Sequence, residues 1–302
     1  MDFRSKIILI SGPTASGKSS FAIKLAKKVN GEIINADSMQ VYKQLKILSA
    51  RPDQDKYQKI SHHLYGFHDV KKNFSTGSWL KLAIKKIQDI KKRKKTPILV
   101  GGTGLYFKAL TDGLVKIPNI PVAIRKQIRV LQSKLGQEKF YKKLLELDPV
   151  SKNKINLTDT NRSIRAYEVK FYTQKSIHEW YKNTKSKFQK SDFYKIYIDY
   201  PRVELIERIN LRSEEMIENG AIKEVKNFIK LKVRKDKSVN KAIGINEIRE
   251  YLNNEKELEE IIEYISIKTR QYAKRQSTWA RGNMNTWIKL KPNELNNFLK
   301  KI

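Results

Sequence analysis

A glycine-rich loop between an apolar run and a helical pattern constrains the fold of this chain more than any other stretch. Ile7–Ile10 is typical of a buried parallel strand, and Gly12–Ser19 (GPTASGKS) matches G-x-x-x-x-G-K-[ST] at every fixed position. Apolar residues then recur at helical spacing from Phe21 to Ala26. A strand, a loop and a helix in this order bind phosphate, because backbone N–H groups and the helix N-terminus meet the anion.

The side chains of this loop indicate how phosphates would be held. Lys18 can reach the terminal phosphate, and Ser19 can hold a Mg²⁺ ion that bridges phosphate oxygens. The alternative is a chance Gly- and Ser-rich turn before a helix, which does not account for Lys18 and Ser19 together. The loop does not identify the molecule that carries the phosphates. The predicted phosphate-binding residues are Gly12, Pro13, Thr14, Ala15, Ser16, Gly17, Lys18 and Ser19.

The charge of the chain suggests a polyanionic partner. Its 302 residues include 63 Lys plus Arg against 31 Asp plus Glu, which gives a net charge of +32. Counterion release and long-range steering favour nucleic-acid binding by such a chain. A proteome rich in Lys, Ile and Asn would also raise the charge, since Lys occurs even on ordinary helix faces such as Lys91–Lys95. We expect both effects to contribute.

The same composition limits other classes of protein. The absence of Cys excludes disulfides and thiolate metal sites. The apolar runs are far shorter than the roughly 18 residues that span a bilayer, so we expect no membrane partner. Met1–Arg4 leads directly into the first predicted strand, which leaves no room for a signal peptide. We therefore expect a cytoplasmic protein.

Polar residues follow two further predicted strands. Asp37 comes just after Glu32–Asn35, and Thr103 follows Pro97–Val100 within Gly-Gly-Thr-Gly. Ligands bind at the carboxyl ends of strands in an open parallel sheet, so both side chains would face the phosphate loop. Asp37 would be a general base or a Mg²⁺ ligand, with an N-cap of the next helix as the alternative. Thr103 would make a second substrate contact.

Two adjacent histidines, His62 and His63, follow a polar loop. The chain has only four His and no nearby Cys or carboxylate set. A structural role or a substrate contact is therefore favoured over zinc binding.

A change in composition marks an inserted segment. Pro118–Pro121 indicates a boundary, and residues 122–190 have helical periodicity without a clear strand. Arg162 and Arg165 lie three residues apart and share a helix face, where they would contact phosphates or form a solvated basic surface. We predict an α/β core over residues 1–117 and 191–302 and an all-helical insertion over residues 118–190.

The chain returns to strand character at Tyr194–Asp199 and then to a helix over Val203–Glu218. Arg208 and Arg212 lie four residues apart on that helix. If it borders the phosphate loop, one of them could clamp a diphosphate bidentately, whereas ordinary surface arginines are the alternative. The C-terminal quarter is predicted to be helical, and Thr269–Arg281 interleaves basic and aromatic residues in a way that suits RNA.

Five motifs occur in order along the chain. They are GPTASGKS from Gly12, NADSMQVY from Asn35, GGTGLY from Gly101, R-x-x-R-A-x-E-V from Arg162 and TRQYAKRQ-x-TW from Thr269. Together they resemble the tRNA dimethylallyltransferase family in its bacterial form, from about Ile7 to Arg281. The resemblance implies a P-loop NTPase-like parallel sheet flanked by helices, with an inserted all-helical tRNA-binding domain.

The resemblance also implies a reaction. A dimethylallyl group would pass from dimethylallyl diphosphate to the N6 amine of the adenosine immediately 3′ of the anticodon, in tRNAs that read codons beginning with U. The phosphate loop would hold the diphosphate with Mg²⁺ as cofactor, and we expect a monomer. Asp37, Thr103 and Arg212 would be catalytic, with Asp37 as the general base. The residues expected to bind the tRNA anticodon stem-loop are Asp37, Ser38, Met39, Gln40, Thr103, Arg125, Asn161, Arg162, Ser163, Ile164, Arg165, Arg270, Lys274 and Arg275.

The chain departs from the family pattern at a few places outside the phosphate loop. It has Leu48–Pro52 (LSARP) where GTAKP is common, and Asn161 where Gln is usual. Ile245 and Ala280 stand where an aromatic residue is frequent.

Two other functions would account for part of the sequence. A P-loop kinase would explain the first loop and Asp37, but not the basic insertion or the C-terminal Arg/Trp-rich stretch. A non-catalytic RNA-binding protein that uses a nucleotide as a switch would explain the charge, but it would leave Asp37 and Thr103 without a role.

Overall fold

The computed structural model describes Phe3, residues 5–182 and residues 184–302. Met1, Asp2 and Arg4, on which the expectation about a signal peptide depends, lie outside the described residues. The chain divides into two compact units. The first comprises residues up to Thr111 together with Phe188–Ile302, and the second comprises Asp112–Lys187.

A parallel sheet forms the centre of the first unit, which confirms the predicted α/β fold. Among the described residues it has six strands in the spatial order β3-β2-β4-β1-β5-β6, and all neighbours are parallel. The central strand β1 is an apolar run that is buried on both faces, as parallel strands usually are. The strands are β1 (Ile7–Ser11), β2 (Gly31–Asn35), β3 (His62–His63), β4 (Thr96–Gly101), β5 (Phe193–Ile198) and β6 (Ile288–Leu290).

Helices make up most of the rest of the described chain. None of the helices in this part of the chain is long and apolar enough to cross a membrane. Short 3₁₀ helices cover Gln54–Tyr57, Pro149–Ser151, Lys190–Asp192, Ser238–Lys241 and Pro292–Glu294. The α-helices are α1 (Lys18–Lys28), α2 (Thr76–Lys92), α3 (Gly104–Thr111), α4 (Val122–Leu147), α5 (Thr160–Thr173), α6 (Ile177–Lys182), α7 (Arg202–Glu218), α8 (Ala221–Lys230), α9 (Ile245–Leu252), α10 (Leu258–Asn283) and α11 (Leu295–Lys300).

The alternating side chains of β1 supply two hydrophobic cores. Ile7 and Leu9 pack in one cluster with Trp79 of α2 and with residues of α3 and α10. Ile8 and Ile10 pack in a second cluster with residues of α1 and α11. Because successive side chains of a strand point to opposite faces, helices cover both faces of the sheet. The carboxyl ends of the strands are left for a binding site.

The second unit consists of helices, with no strand among its described residues. Helices α4, α5 and α6 share one core, which includes Phe140, Leu144 and Val169. Gly136 interrupts α4 with φ 71° and ψ 169°, a backbone conformation that requires glycine. The unit begins at Asp112 and ends at Lys187, whereas the expected limits of the insertion are 118 and 190.

Two edge strands of the sheet, β3 and β6, are not predicted from the sequence. β3 contains only His62 and His63, and β6 contains only Ile288–Leu290, so neither is long enough to show strand alternation. Each forms because a neighbouring strand offers unpaired backbone groups, β2 in the first case and β5 in the second. The prediction of a helical C-terminal quarter is therefore wrong at β6.

Candidate active site

The predicted phosphate loop joins β1 to α1. Gly17 adopts φ 77° directly before Lys18, which is the first residue of α1, so the loop ends at a helix N-terminus. Ser16 is buried, and its hydroxyl makes no hydrogen bond within the described part of the chain. A buried donor without a partner at a helix N-terminus suits an anionic ligand that would accept from it.

Lys18 lies close to two other charged side chains. Its ammonium group donates to the carbonyl of Pro13 at 3.0 Å. Burial lowers the pKa of Lys18 to about 8; Asp37 opposes the shift and Arg212 adds to it. Burial also lowers the pKa of Arg212, and Asp37 again opposes the shift. The three groups therefore share one charged site beside the loop.

The structure brings both arginines of α7 to the phosphate loop. Arg208 Nε donates to the carbonyl of Ala15 at 2.8 Å, and Arg212 Nη1 donates to Thr14 Oγ1 at 2.8 Å. Helix α7 therefore borders the phosphate loop, as the prediction for Arg208 and Arg212 requires. Arg212 also lines the cavity described below, whereas Arg208 is not among its lining residues.

Asp37 follows the carboxyl end of β2. Its Oδ1 accepts a hydrogen bond from Met39 N at 2.9 Å, and its own N–H donates to Asn35 Oδ1 at 2.8 Å. The alternative role of a helix N-cap is wrong, because the described residues 38–44 form bends, turns and one isolated bridge. One carboxylate oxygen thus fixes the local turn, and Asp37 lines the cavity.

Thr103 connects the two polar loops at the sheet edge. Its hydroxyl accepts from Ser38 N at 2.9 Å, and its N–H donates to the carbonyl of Ala36 at 3.2 Å. A Cβ on Gly101 would lie 2.1 Å from the Ala36 carbonyl, so glycine is required for this approach. The structure therefore brings Thr103 and Asp37 together, as their positions after neighbouring strands predict.

Sequence reasoning missed Gln276 of α10. Its Oε1 accepts from Thr14 N at 2.8 Å, and its Nε2 donates to the carbonyl of Gly102 at 3.0 Å. The same helix places the ring of Trp279 where a Cβ on Gly104 would be only 2.3 Å away. Gln276 and Trp279 are three residues apart, a spacing that places them on one helix face. The sequence prediction instead assigns this stretch to RNA binding.

A cavity of about 330 Å³ opens beside the phosphate loop. Burial raises the pKa of Tyr272 at its wall, with Asp37 adding to the shift, so the phenol stays protonated. The cavity joins a charged wall to an apolar wall. Its polar lining residues are Thr14, Asp37, Ser38, Ser49, Arg212, Ser213, Lys241, Thr269, Tyr272 and Arg275. Its apolar lining residues are Met39, Leu48, Ile209, Met216, Ala242, Ile243 and Ile265.

Several residues expected to bind tRNA lie in the first unit. Ser38 and Met39 line the cavity, and Gln40 Nε2 donates to the carbonyls of Ser49 and Ala50 at 3.0 and 3.1 Å. Gln40 thus holds a loop rather than projecting freely. Arg270, Lys274 and Arg275 lie on α10, where Lys274 and Arg275 are exposed and the Arg275 guanidinium lies 5.9 Å from the Tyr272 ring centroid.

The other expected tRNA-binding residues lie in the second unit, on α4 and α5. Arg162 is 73% exposed beside Asp159, whereas Arg165 pairs at 3.4 Å with Glu168, which is only 4% exposed. Ser163 is buried and accepts from Gln137 at 3.2 Å, so its side chain supports the helix. Arg125, Asn161 and Ile164 complete this set, and the Nε atom of Arg125 is buried without a hydrogen bond among the described residues.

The described residues contain no group of three or more His, Cys, Asp or Glu side chains that could hold a metal ion, so neither adjacent histidine belongs to one. His63 Nε2 contacts Glu32 at 2.7 Å, and His62 stacks on Tyr57 with ring centroids 3.7 Å apart.

Mg²⁺ differs from zinc in that it usually takes only one or two protein oxygens and several phosphate oxygens and waters. The phosphate loop with Ser19 fits that type of site without a metal-ligand cluster.

Comparisons with known proteins agree on one family. A family model described as IPP transferase matches residues 40–283. The chain is 62% identical to a tRNA dimethylallyltransferase of Pelagibacter ubique (strain HTCC1062), over 100% of this chain and 96% of the relative. It is 32% identical to the solved tRNA Δ(2)-isopentenylpyrophosphate transferase of Staphylococcus epidermidis, with a TM-score of 0.68 over 98% of this chain and 97% of that one. A solved eukaryotic dimethylallyltransferase acting on tRNA has a TM-score of 0.82 at 30% identity, over 95% of this chain and 73% of that one.

The fold and the site define a P-loop α/β enzyme with its cavity at the carboxyl ends of parallel strands. The chain belongs to the IPP transferase family and is therefore a transferase. The resemblance drawn from the five motifs is confirmed. Neither alternative, the kinase or the non-catalytic RNA switch, belongs to this family.

Proposed function

We propose that the chain transfers a dimethylallyl group from dimethylallyl diphosphate to the N6 amine of the adenosine immediately 3′ of the anticodon, in tRNAs that read codons beginning with U. Prenyl transfer to tRNA is the activity named for the full-length relatives. The observation that carries the proposal is the single cavity in which the phosphate loop, Asp37 and an apolar wall meet. A prenyl diphosphate has a charged end and an apolar end, and this cavity complements both.

The phosphate loop would bind the diphosphate and stabilise its departure. Lys18, the buried Ser16 hydroxyl and the loop N–H groups would face its oxygens, and Arg212 would approach from α7. Ser19 would hold Mg²⁺ together with diphosphate oxygens. When bound, the ion would supply positive charge to the leaving group. Because each donor is in place before reaction, little reorganisation would accompany the growth of negative charge.

Asp37 would take the proton of the adenosine amine. That amine is a weak nucleophile because its lone pair is delocalised into the ring. In the transfer, the N6–C bond forms, the bond from the prenyl carbon to the diphosphate oxygen breaks, and the N6 proton passes to Asp37. Thr103 supports this geometry because its hydroxyl holds Ser38, the residue next to Asp37. The adenosine would leave its stack to enter the cavity.

The basic surface of the chain would hold the tRNA. The exposed cations Lys274 and Arg275 lie on a helix that lines the cavity, and Arg162 offers an exposed guanidinium in the second unit. Phosphate contacts of this kind position an RNA without reading its sequence. The net charge of +32 supports such binding, and we propose that a monomer suffices.

The test is incubation of the protein with Mg²⁺, unmodified tRNA and dimethylallyl diphosphate, without ATP. We expect mass spectrometry of the digested tRNA to show one added five-carbon unit on an anticodon-loop adenosine. A transcript with guanosine at that position is the matched control and should remain unmodified. Product that appears only with ATP, or phosphorylation without prenylation, would contradict the proposal.

A further inference from the structure

We infer that Leu48 and Met216 close the far end of the cavity and restrict the donor to a single isoprene unit. The inference rests on the proposed function, since it concerns the apolar end of the same donor site. Both side chains line the cavity, and both are buried members of one hydrophobic cluster. Ile265, a third member of that cluster, also lines the cavity.

Two helices define the direction from the loop to this end. On α7, Arg208 and Arg212 contact the phosphate loop, and Met216 lies one turn further along, about 6 Å beyond Arg212. On α10, Gln276 contacts the loop, and Ile265 lies about 16 Å away along the helix axis. Among the cavity-lining residues of these two helices, Met216 and Ile265 therefore lie furthest from the loop contacts.

Gly244 shows how tightly the far end is packed. A Cβ on Gly244 would lie 2.5 Å from Leu48 Cδ2 and 3.7 Å from Met216 Cε. The same residue has φ 100°, so a side chain would be strained there as well. Leu48 and Met216 therefore both lie close to Gly244, and a single added carbon atom there would collide with Leu48.

The turn that carries Leu48 is held by an acidic side chain on α8. Glu224 accepts hydrogen bonds from the backbone N–H groups of Lys46, Ile47 and Leu48 at 2.7, 2.9 and 3.0 Å. Three hydrogen bonds to one carboxylate fix the backbone of this turn. Glu224 is therefore a positioning residue, which keeps the Leu48 side chain at the end of the cavity.

The apolar wall offers little that would favour a longer or more polar donor. The Ser213 hydroxyl donates to the carbonyl of Ile209 at 2.9 Å, and the Ser49 hydroxyl donates to that of Leu45 at 2.6 Å. Both hydroxyls in this part of the wall are satisfied within the protein. Selection between donors at this end therefore depends on shape. Each methylene that does not fit should lower the relative kcat/KM by about 10-fold or more.

The experiment compares dimethylallyl diphosphate with geranyl diphosphate, which is one isoprene unit longer, in the full-chain enzyme with tRNA and Mg²⁺. We expect the wild type to favour the shorter donor in kcat/KM. Leu48→Ala removes most of a side chain at the cavity end and should raise the relative kcat/KM for the longer donor by at least about 10-fold. Met216→Ala is a second variant at the same end, and Glu224→Ala should shift the ratio in the same direction.

The matched control is Leu45→Ala. Leu45 is buried in the same cluster as Leu48, but it does not line the cavity. It should lower the thermal stability as Leu48→Ala does and leave the donor ratio within about twofold. A ratio that is unchanged in Leu48→Ala and Met216→Ala, or changed equally by Leu45→Ala, would overturn the inference.

Calorimetric binding of the two donors without tRNA separates this inference from the proposed function. We expect tighter binding of dimethylallyl diphosphate to the wild type, and a smaller difference in Leu48→Ala. Equal binding of both donors to the wild type would overturn the inference even where prenyl transfer occurs. Selective binding without any transfer to tRNA would support the inference and contradict the proposed function.

Discussion

Gln276 accepts a hydrogen bond from the backbone N–H of Thr14 at 2.8 Å, across 262 residues of sequence. The other end of the same amide donates to the carbonyl of Gly102. One side chain thus links the phosphate loop after β1 to the glycine-rich loop after β4. The two loops supply different parts of the proposed site, and this side chain bridges them.

We expect Gln276→Ala to leave the Thr14 N–H and the Gly102 carbonyl without partners. The stability loss should be about 1–3 kcal/mol, and KM for the donor should rise because the phosphate loop is less well fixed. Gln276→Glu keeps an acceptor for Thr14 but faces Gly102 with a second oxygen, so it should also be impaired. Urea unfolding and steady-state kinetics measure both effects, and a wild-type KM in both variants would contradict this role.

Two substitutions separate the proposed role of Asp37 as a base from its hydrogen bond to Met39. Asp37→Asn keeps the oxygen that accepts from Met39 but cannot take up the amine proton, whereas Asp37→Ala loses both functions. We expect both variants to lower turnover by roughly 10²-fold or more and to keep tRNA affinity within a few-fold. Single-turnover kinetics and filter binding provide the measurements. Near-normal turnover in Asp37→Asn would remove Asp37 from the proton transfer.

Thr103→Ala removes the hydroxyl that holds Ser38. We expect turnover to fall by roughly 10- to 10³-fold, because the residues around Asp37 lose their alignment with the diphosphate. Thr103→Ser retains the hydroxyl and should keep most of the activity. Similar losses in the Ala and Ser variants would indicate that the methyl group of Thr103 matters rather than its hydrogen bond.

The two arginines of α5 should differ in their effects. Arg162 is exposed, so Arg162→Ala should reduce the slope of log K for tRNA binding against log salt concentration by about one, without loss of stability. Arg165→Ala should flatten it similarly but also destabilise the protein by about 1 kcal/mol, because the buried Glu168 loses a cation.

The control for these variants is Arg234→Ala. Arg234 is an exposed arginine of the first unit that pairs with Asp236 at 2.9 Å, and its loss should leave the salt slope unchanged. Fluorescence titrations at several salt concentrations give the slopes. Slopes unchanged in both α5 variants would show that these arginines form a solvated surface.

The charge of Lys18 makes donor binding sensitive to pH. Since burial lowers its pKa to about 8, Lys18 is charged in the free enzyme below that pH and loses its charge above it. We expect the affinity for dimethylallyl diphosphate to fall as the pH rises through about 8, by up to about 10-fold per pH unit. Lys18→Met should abolish this dependence, whereas Lys24→Met, on the exposed face of α1, should retain it. A flat profile in the wild type would contradict the assignment.

The local sequence determined the phosphate loop and the two residues that follow neighbouring strands. Gly12–Ser19 is a continuous motif, and Asp37 and Thr103 are each placed by the strand directly before them. A parallel sheet aligns the carboxyl ends of its strands, so these residues had to meet once β2 and β4 were adjacent. Their proximity follows from short-range patterns and one rule of sheet geometry.

The tertiary structure decided which distant residues complete the site. Gln276 and Arg212 are separated from the phosphate loop by most of the chain, and no periodicity indicates which loop a helix face will meet. Leu48 lines the cavity on a turn that bonds to Glu224 of a distant helix, and the short strands β3 and β6 exist because a neighbouring strand pairs with them. Such contacts depend on the packing of helices against the sheet, which minimises exposed apolar surface over the whole chain rather than within any one segment.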